Sequence, residues 1–181
     1  MNGVYALGVA DDEARRVLYV IVCAAPAAAE VAGFIRLAQS AGWRVFAVVS
    51  PLGRRFVDVN SLASLTGGPV RSEFRLPWQP KELPPADAVV VAPATFNTVN
   101  KWAAGIADTF ATALLCEQTG LGVPVLAVPQ TNDGLARHVA FGRNLDVLRS
   151  MGVRVLFDPA GPQGRVPPWE QVLAELRDLT T

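Results

Sequence analysis

Five runs in this chain are too short to span a membrane and too continuously apolar for half-exposed strands. They are VLYVIVC (17–23), RVFAVVS (44–50), AVVVA (88–92), VPVLAV (123–128) and VRVLF (153–157). Each is rich in valine, and polar residues hardly interrupt it. A strand with one wet face alternates apolar and polar residues, whereas a strand covered on both faces does not. The runs therefore predict a parallel sheet sandwiched between helices.

The stretches between the runs supply helices. Val31, Phe34, Ile35 and Ala38 fall at i, i+3, i+4 and i+7, with Gly42 placed to stop the helix. Trp102, Ile106, Phe110 and Leu114 recur every fourth residue and predict one helix after the third run. Leu135, Val139, Leu145 and Leu148 predict another, closed by Gly152. A last helix opens at Pro167-Pro168 and carries Trp169, Val172, Leu173, Leu176 and Leu179. On this periodicity Trp102 and Trp169 belong to the core. Strand and helix alternate, and right-handed crossovers make that an α/β, Rossmann-like, open doubly wound parallel sheet. The expectation is one domain over residues 1–181, with two irregular segments. SEFRLPWQPKELPP (72–85) holds four prolines, and DPAGPQGRVPP (158–168) is rich in Pro and Gly.

Composition narrows the function. Hydrophobic residues make up 51% and charged residues 18%, so a packed core is expected and disorder is not. Lys+Arg and Asp+Glu both number 16, so no net field favours nucleic acid or an anionic membrane. The two cysteines, Cys23 and Cys116, form no C-x-x-C, and no metal site is predicted. No run approaches the ~18 apolar residues of a membrane span. The N-terminal residues make a poor signal peptide, so the expected location is the cytoplasm.

In doubly wound sheets, ligands sit beyond the C-terminal strand ends. That singles out loops 24–28, 50–54, 93–98 and 129–134. The first, A-A-P-A-A, is not G-x-G-x-x-G, which disfavours a standard dinucleotide site, yet small residues still let a phosphate approach helix amides. The third, within A-P-A-T-F-N-T-V-N-K (92–101), carries Thr95, Asn97 and Thr98 between a buried strand and a helix. An N-cap accounts for one of these three; polar ligand recognition accounts for the set.

The segment ADAVVVAPATFNTVNKWAAGIAD (86–108) resembles the P-A-S-A-N-T region and downstream G-x-x-D of the homo-oligomeric flavin-containing cysteine decarboxylases. This family includes phosphopantothenoylcysteine decarboxylase and the lantibiotic peptide decarboxylases. PQTNDGLARHVAFGRNLDVLRSMGVRV (129–155) is similar to its P-x-M-N-x-x-M-W clamp and the helix that follows. The first strand and helix match as well, so the resemblance covers about residues 17–158.

The resemblance implies flavin mononucleotide (FMN) as cofactor. It puts Thr95, Asn97 and Thr98 in flavin-binding places, with Asp108 in the G-x-x-D, Ser50 at the end of the second strand, and Ala25 where a serine is usual, so that phosphate contact there is by backbone only. It gives Asn132 the role of engaging a substrate carboxylate; T-N-D-G is also a turn sequence, and that alternative stands beside it. It implies a small-molecule or peptide substrate ending in cysteine, and a homo-oligomer that is a trimer or a multiple of trimers.

Three departures accompany it. The family's catalytic histidine precedes the third strand, where this chain has Trp78 and Gln79. The clamp methionine and tryptophan become Thr131 and Ala136, and no cysteine follows Cys116. His138, the only histidine, reads as a helix residue and no replacement. The catalytic base is therefore unassigned. Besides oxidative decarboxylation, the sequence leaves open an FMN-binding protein without that activity and, ranked last, a flavin prenyltransferase.

Overall fold

The computed structural model describes residues 15–80, 83–158, 160 and 164–181. Five strands, β1 (Val17–Val22), β2 (Arg44–Val49), β3 (Ala88–Ala94), β4 (Val125–Pro129) and β5 (Arg154–Val155), form one sheet in the order β2-β1-β3-β4-β5. Every pairing is parallel. The helices are α1 (Val31–Ser40), α2 (Val59–Thr66), α3 (Phe96–Ala103), α4 (Phe110–Gly120), the single turn α5 (Asp133–Ala136), α6 (Val139–Ser150) and α7 (Trp169–Leu179).

Successive strand residues point to opposite faces, and β1 shows why its run is continuously apolar. Leu18, Val20 and Val22 pack with Phe34, Ile35, Trp43, Leu62, Val172 and Leu176, under α1, α2 and α7. Tyr19 and Ile21 pack with Trp102, Leu115, Phe141 and Leu148, under α3, α4 and α6. Both faces are dry, as the sequence predicts. Pro93 sits in a central strand, a place usually closed to proline because the ladder loses a donor. The β3–β4 register shifts between Val91 and Ala94, and that irregularity accommodates it; the Ala92–Pro93 peptide is cis.

The periodic stretch over 102–114 is two helices rather than one. Gly105 adopts φ +70°, and the Ile106 N–H reaches back to the Lys101 carbonyl while the Gly105 N–H meets that of Trp102. This six-residue closure ends α3 because only glycine takes that conformation without strain. Thr109 then caps α4, exchanging bonds with Thr112. Ile106 falls in the break and is exposed. The stretch over 135–148 is likewise split, into α5 and α6, and Val139 is 81% exposed rather than core.

Helix α2 has no counterpart in the sequence reading; Asp58 caps it, accepting from the Asn60 and Ser61 N–H groups. Trp102 is core as expected. Trp169 is only half-buried, with its ring 5.8 Å from that of Phe34. The described residues of 72–85 are irregular and expose Phe74, Leu76 and Trp78.

Candidate functional site

The C-terminal ends of β1, β2, β3 and β4 open onto one cleft of about 640 Å³, within the range of roughly 300–1,000 Å³ typical of small-molecule sites. All seven residues named from the sequence line it: Ala25, Ser50, Thr95, Asn97, Thr98, Asp108 and Asn132. Six of them come from the four strand-end loops and Asp108 from the connection between α3 and α4, up to 107 positions apart in the chain, and the parallel sheet brings the loops together because every strand runs the same way.

The polar groups divide into those consumed by the scaffold and those left for a ligand. Thr95 caps α3: its hydroxyl accepts from the Thr98 N–H at 3.3 Å and lies 2.9 Å from the Thr98 hydroxyl. Thr98 is buried and donates to Cys23 Sγ at 3.3 Å, so it acts mainly inside the wall. Burial raises the Cys23 thiol pKa above its ordinary value, outweighing the opposing bonds from Thr98 and Thr95, and the sulfur stays a neutral acceptor. Asn97, by contrast, is exposed on the first turn of α3. The first N–H groups of a helix lack intrahelical acceptors, and Phe96 and Asn97, at the start of α3, both line the cleft.

Ser50 accepts from the Gly53 N–H at 3.1 Å and keeps its own hydroxyl proton for another acceptor. Gly53 is required by space. A Cβ there would lie 2.8 Å from both Ser50 Oγ and the Val22 carbonyl. Lys101 and Asp108 form an ion pair at the cleft edge. The hydrogen bond from Lys101 is the main reason that the Asp108 carboxyl stays below its ordinary pKa. Asn132 caps α5 through Oδ1, which accepts from the Leu135 N–H at 2.9 Å. The turn role therefore engages Oδ1 and not the amide NH₂.

The first loop differs from an open anion cradle. The Ala25 N–H donates to the Cys23 carbonyl, Pro26 has none, and the Ala28 N–H donates to Ala25. The Ala27 N–H donates to Gln130 Oε1 at 2.9 Å. Ala25 thus contributes cleft wall, and its own N–H is already engaged.

Gln130 was not singled out by the sequence, where it is one polar residue in a loop of several. Thr131, noted only as a departure from the clamp pattern, is buried in the same wall with its hydroxyl unpartnered. Trp78 and Gln79 do not line the cleft: Trp78 is 78% exposed, and Gln79 Oε1 accepts from the Leu76 N–H. His138 caps α6 through Nδ1, which accepts from the Ala140 N–H at 3.1 Å, and its ring lies edge-on to Phe96.

An all-parallel sheet with a mostly apolar cleft and a few convergent polar groups at its C-terminal edge defines an α/β protein built to hold a cofactor or other small ligand. The chain belongs to the Flavoprotein family, whose model matches residues 10–181. Among curated relatives, a cysteine/cysteine sulfinic acid decarboxylase from an unknown prokaryotic organism is 33% identical over 98 residues, covering 50% of this chain and 26% of that protein. The coenzyme A biosynthesis bifunctional protein CoaBC of Mycolicibacterium smegmatis is 32% identical over 184 residues, covering 90% and 42%. This chain therefore spans well under half the length of these curated relatives.

Among solved structures, the FMN-dependent cysteine decarboxylase TvaF of thioviridamide biosynthesis superposes with a TM-score of 0.75 at 27% identity, over 91% of this chain and 98% of that one. The peptidyl-cysteine decarboxylase EpiD shares the fold, with a TM-score of 0.72 at 23% identity, over 88% and 97%. Family membership implies a flavin, and the cleft fits one. Its lining is largely apolar, as a flat ring system requires, and the Asn97 amide and the orphaned Thr131 hydroxyl offer polar contacts that the protein leaves unused. No helix among the described residues is long and apolar enough to cross a membrane.

Proposed function

We propose that this protein is an FMN-dependent decarboxylase acting on a substrate with a terminal cysteine. The observation that carries this reading is the convergence of Ser50, Thr95, Asn97, Asp108 and Asn132 on one cleft, in a fold shared with TvaF over nearly that whole chain. A bound flavin would supply the two-electron oxidation of the cysteine end, after which the neighbouring carboxylate leaves as CO₂.

The chain's own residues bind and orient. Asn97 and the first amides of α3 would hold polar edges of the flavin, with Thr95 and Thr98 fixing that helix start. The Ser50 hydroxyl offers a donor on the opposite rim, and Ala25 packs as wall. Asp108 acts through Lys101, keeping that ammonium at the cleft edge. Asn132, with Oδ1 locked in its cap, presents an NH₂ group suited to a substrate carboxylate.

No histidine lines the cleft. Assembly into a trimer, or a multiple of trimers, would bring a neighbour's residues to the site. The exposed Phe74, Leu76 and Trp78 of the proline-rich arm suit such a contact.

The test is to purify the protein, extract and identify its flavin, and offer cysteine, a cysteine-ended peptide and phosphopantothenoylcysteine separately. Flavin bleaching with CO₂ release from one of them supports the proposal. Bound FMN with no turnover of any would refute the decarboxylase reading. A monomeric mass by light scattering, with flavin fully bound, would refute the shared-site assembly.

A further inference from the structure

Gln130 is the first residue beyond β4, and only 6% of it is exposed. Its backbone N–H donates to the Ala94 carbonyl at 2.9 Å. Its side-chain Oε1 accepts from the Ala27 N–H at 2.9 Å, and its Nε2 donates to the Gly164 carbonyl at 2.7 Å. One residue thus joins the ends of β1, β3 and β4 to the stretch that leads into α7. A carboxamide can do this because one end accepts while the other donates. Gln130 and Gly164 both line the cleft, and Val166, two residues beyond Gly164, packs against the core. Among the described residues, apolar packing at Val166 and a polar tie at Gly164 hold the stretch.

We propose that Gln130 is a positioning residue that ties Gly164 to the cleft floor and thereby sets how firmly a ligand in the cleft is retained. Without it, the Ala27 N–H and the Gly164 carbonyl lose their partner beside the ligand space, and water or ligand atoms must replace it. The ligand part of this inference rests on the flavin reading above; the tie itself does not.

Two variants separate the roles of the amide. Gln130→Met keeps the length and loses both bonds. Gln130→Glu keeps the acceptor for Ala27, but as a carboxylate it cannot donate to Gly164; protonated, it can. Tryptic cleavage after the exposed Arg165 reports opening of the stretch in ligand-free protein. FMN dissociation reports retention. Both should rise about tenfold in Gln130→Met, equivalent to 1.4 kcal/mol.

In Gln130→Glu, cleavage at Arg165 should be fast when the carboxyl is ionised. It should return toward the wild-type rate as pH falls and the carboxyl protonates, each rate being taken relative to wild type at the same pH. A merely structural glutamine would lower the melting temperature without this pH-dependent rescue. Unchanged cleavage and dissociation in folded Gln130→Met, or no rescue in Gln130→Glu, would overturn the proposal. If Gln130→Met does not fold, Gln130→Glu carries the test. If wild type takes up no FMN, the flavin reading fails while the cleavage arm still decides the tie.

Discussion

Replacing Gly53 with alanine isolates how tightly the cleft is welded to the sheet. Gly53 has no positive φ, so the substitution adds volume without forcing a disfavoured backbone. The added methyl would lie 2.8 Å from the Val22 carbonyl oxygen, 2.8 Å from Ser50 Oγ and 3.1 Å from Val49 Cγ1. None of these is the loose end of a long side chain. The Val22 carbonyl is already engaged by the Ser50 N–H at 2.9 Å, so relief must part the ends of β1 and β2 or unwind the Ser50 turn. Overpacking of this kind costs about 1–3 kcal/mol. At about 2–4 °C per kcal/mol for a domain of this size, the melting temperature should fall by about 2–12 °C. Gly142 is the matched control. It lies exposed inside α6 with nothing within 4 Å of an added Cβ. Gly142→Ala should stabilise by about 0.5–1 kcal/mol, since alanine loses less freedom in a helix. Calorimetry on the two variants gives shifts of opposite sign. A Gly53→Ala protein that melts at or above the wild-type temperature would refute the close-contact argument.

Asn97→Ala should weaken FMN binding by about 1–3 kcal/mol with little change in melting temperature, because the exposed amide serves the ligand; titration calorimetry that finds equal affinity removes it from the site. Thr131→Val deletes a buried hydroxyl that has no partner, so the ligand-free protein should gain about 1–3 kcal/mol in denaturant unfolding. A loss of stability there would show that the hydroxyl is satisfied. Bonds from Ser61 and Asn60 hold the Asp58 carboxyl below its ordinary value. Its cap therefore stabilises α2 above that ordinary value and is lost as pH falls through the depressed one. Asp58→Ala should accordingly narrow its stability gap to wild type in acid, and a gap independent of pH would contradict the cap.

The sheet was legible because valine-rich runs without alternation have few other uses. The four ligand loops were legible because a parallel sheet puts its C-terminal strand ends on one side. Helix breaks were harder to read. The spacing Trp102, Ile106, Phe110, Leu114 fits one helix, and only the local conformation of Gly105 decides otherwise. Helix α2 escaped notice because it has a single fully buried residue, Leu62, and so almost no periodic signal. Within the site, residue type drew attention to Asn97 and Asn132, which line the cleft beyond β3 and β4. It could not reveal that Thr98 turns inward to Cys23 or that Gln130 ties Ala27 to Gly164, since both depend on partners 75 and 34–103 positions away.

The strand order also shapes how the chain emerges from the ribosome. β1 is flanked by β2 on one side and β3 on the other, yet residues 23–87 separate β1 from β3. At about 5–20 residues per second, roughly 3–13 seconds pass between the synthesis of one and the other. For that interval the inner edge of β1 has an open hydrogen-bonding ladder of apolar residues, the kind of edge that recruits other chains. The last stretch to emerge before β3 is the arm with Pro77, Pro80, Pro84 and Pro85. Proline has no N–H to donate and cannot extend a ladder, so the arm is a poor impostor for β3. Replacing those four prolines with alanine should therefore lower the soluble yield on expression more than it lowers the melting temperature of the purified protein. On this account the arm keeps a place in the sheet vacant for the strand that follows it.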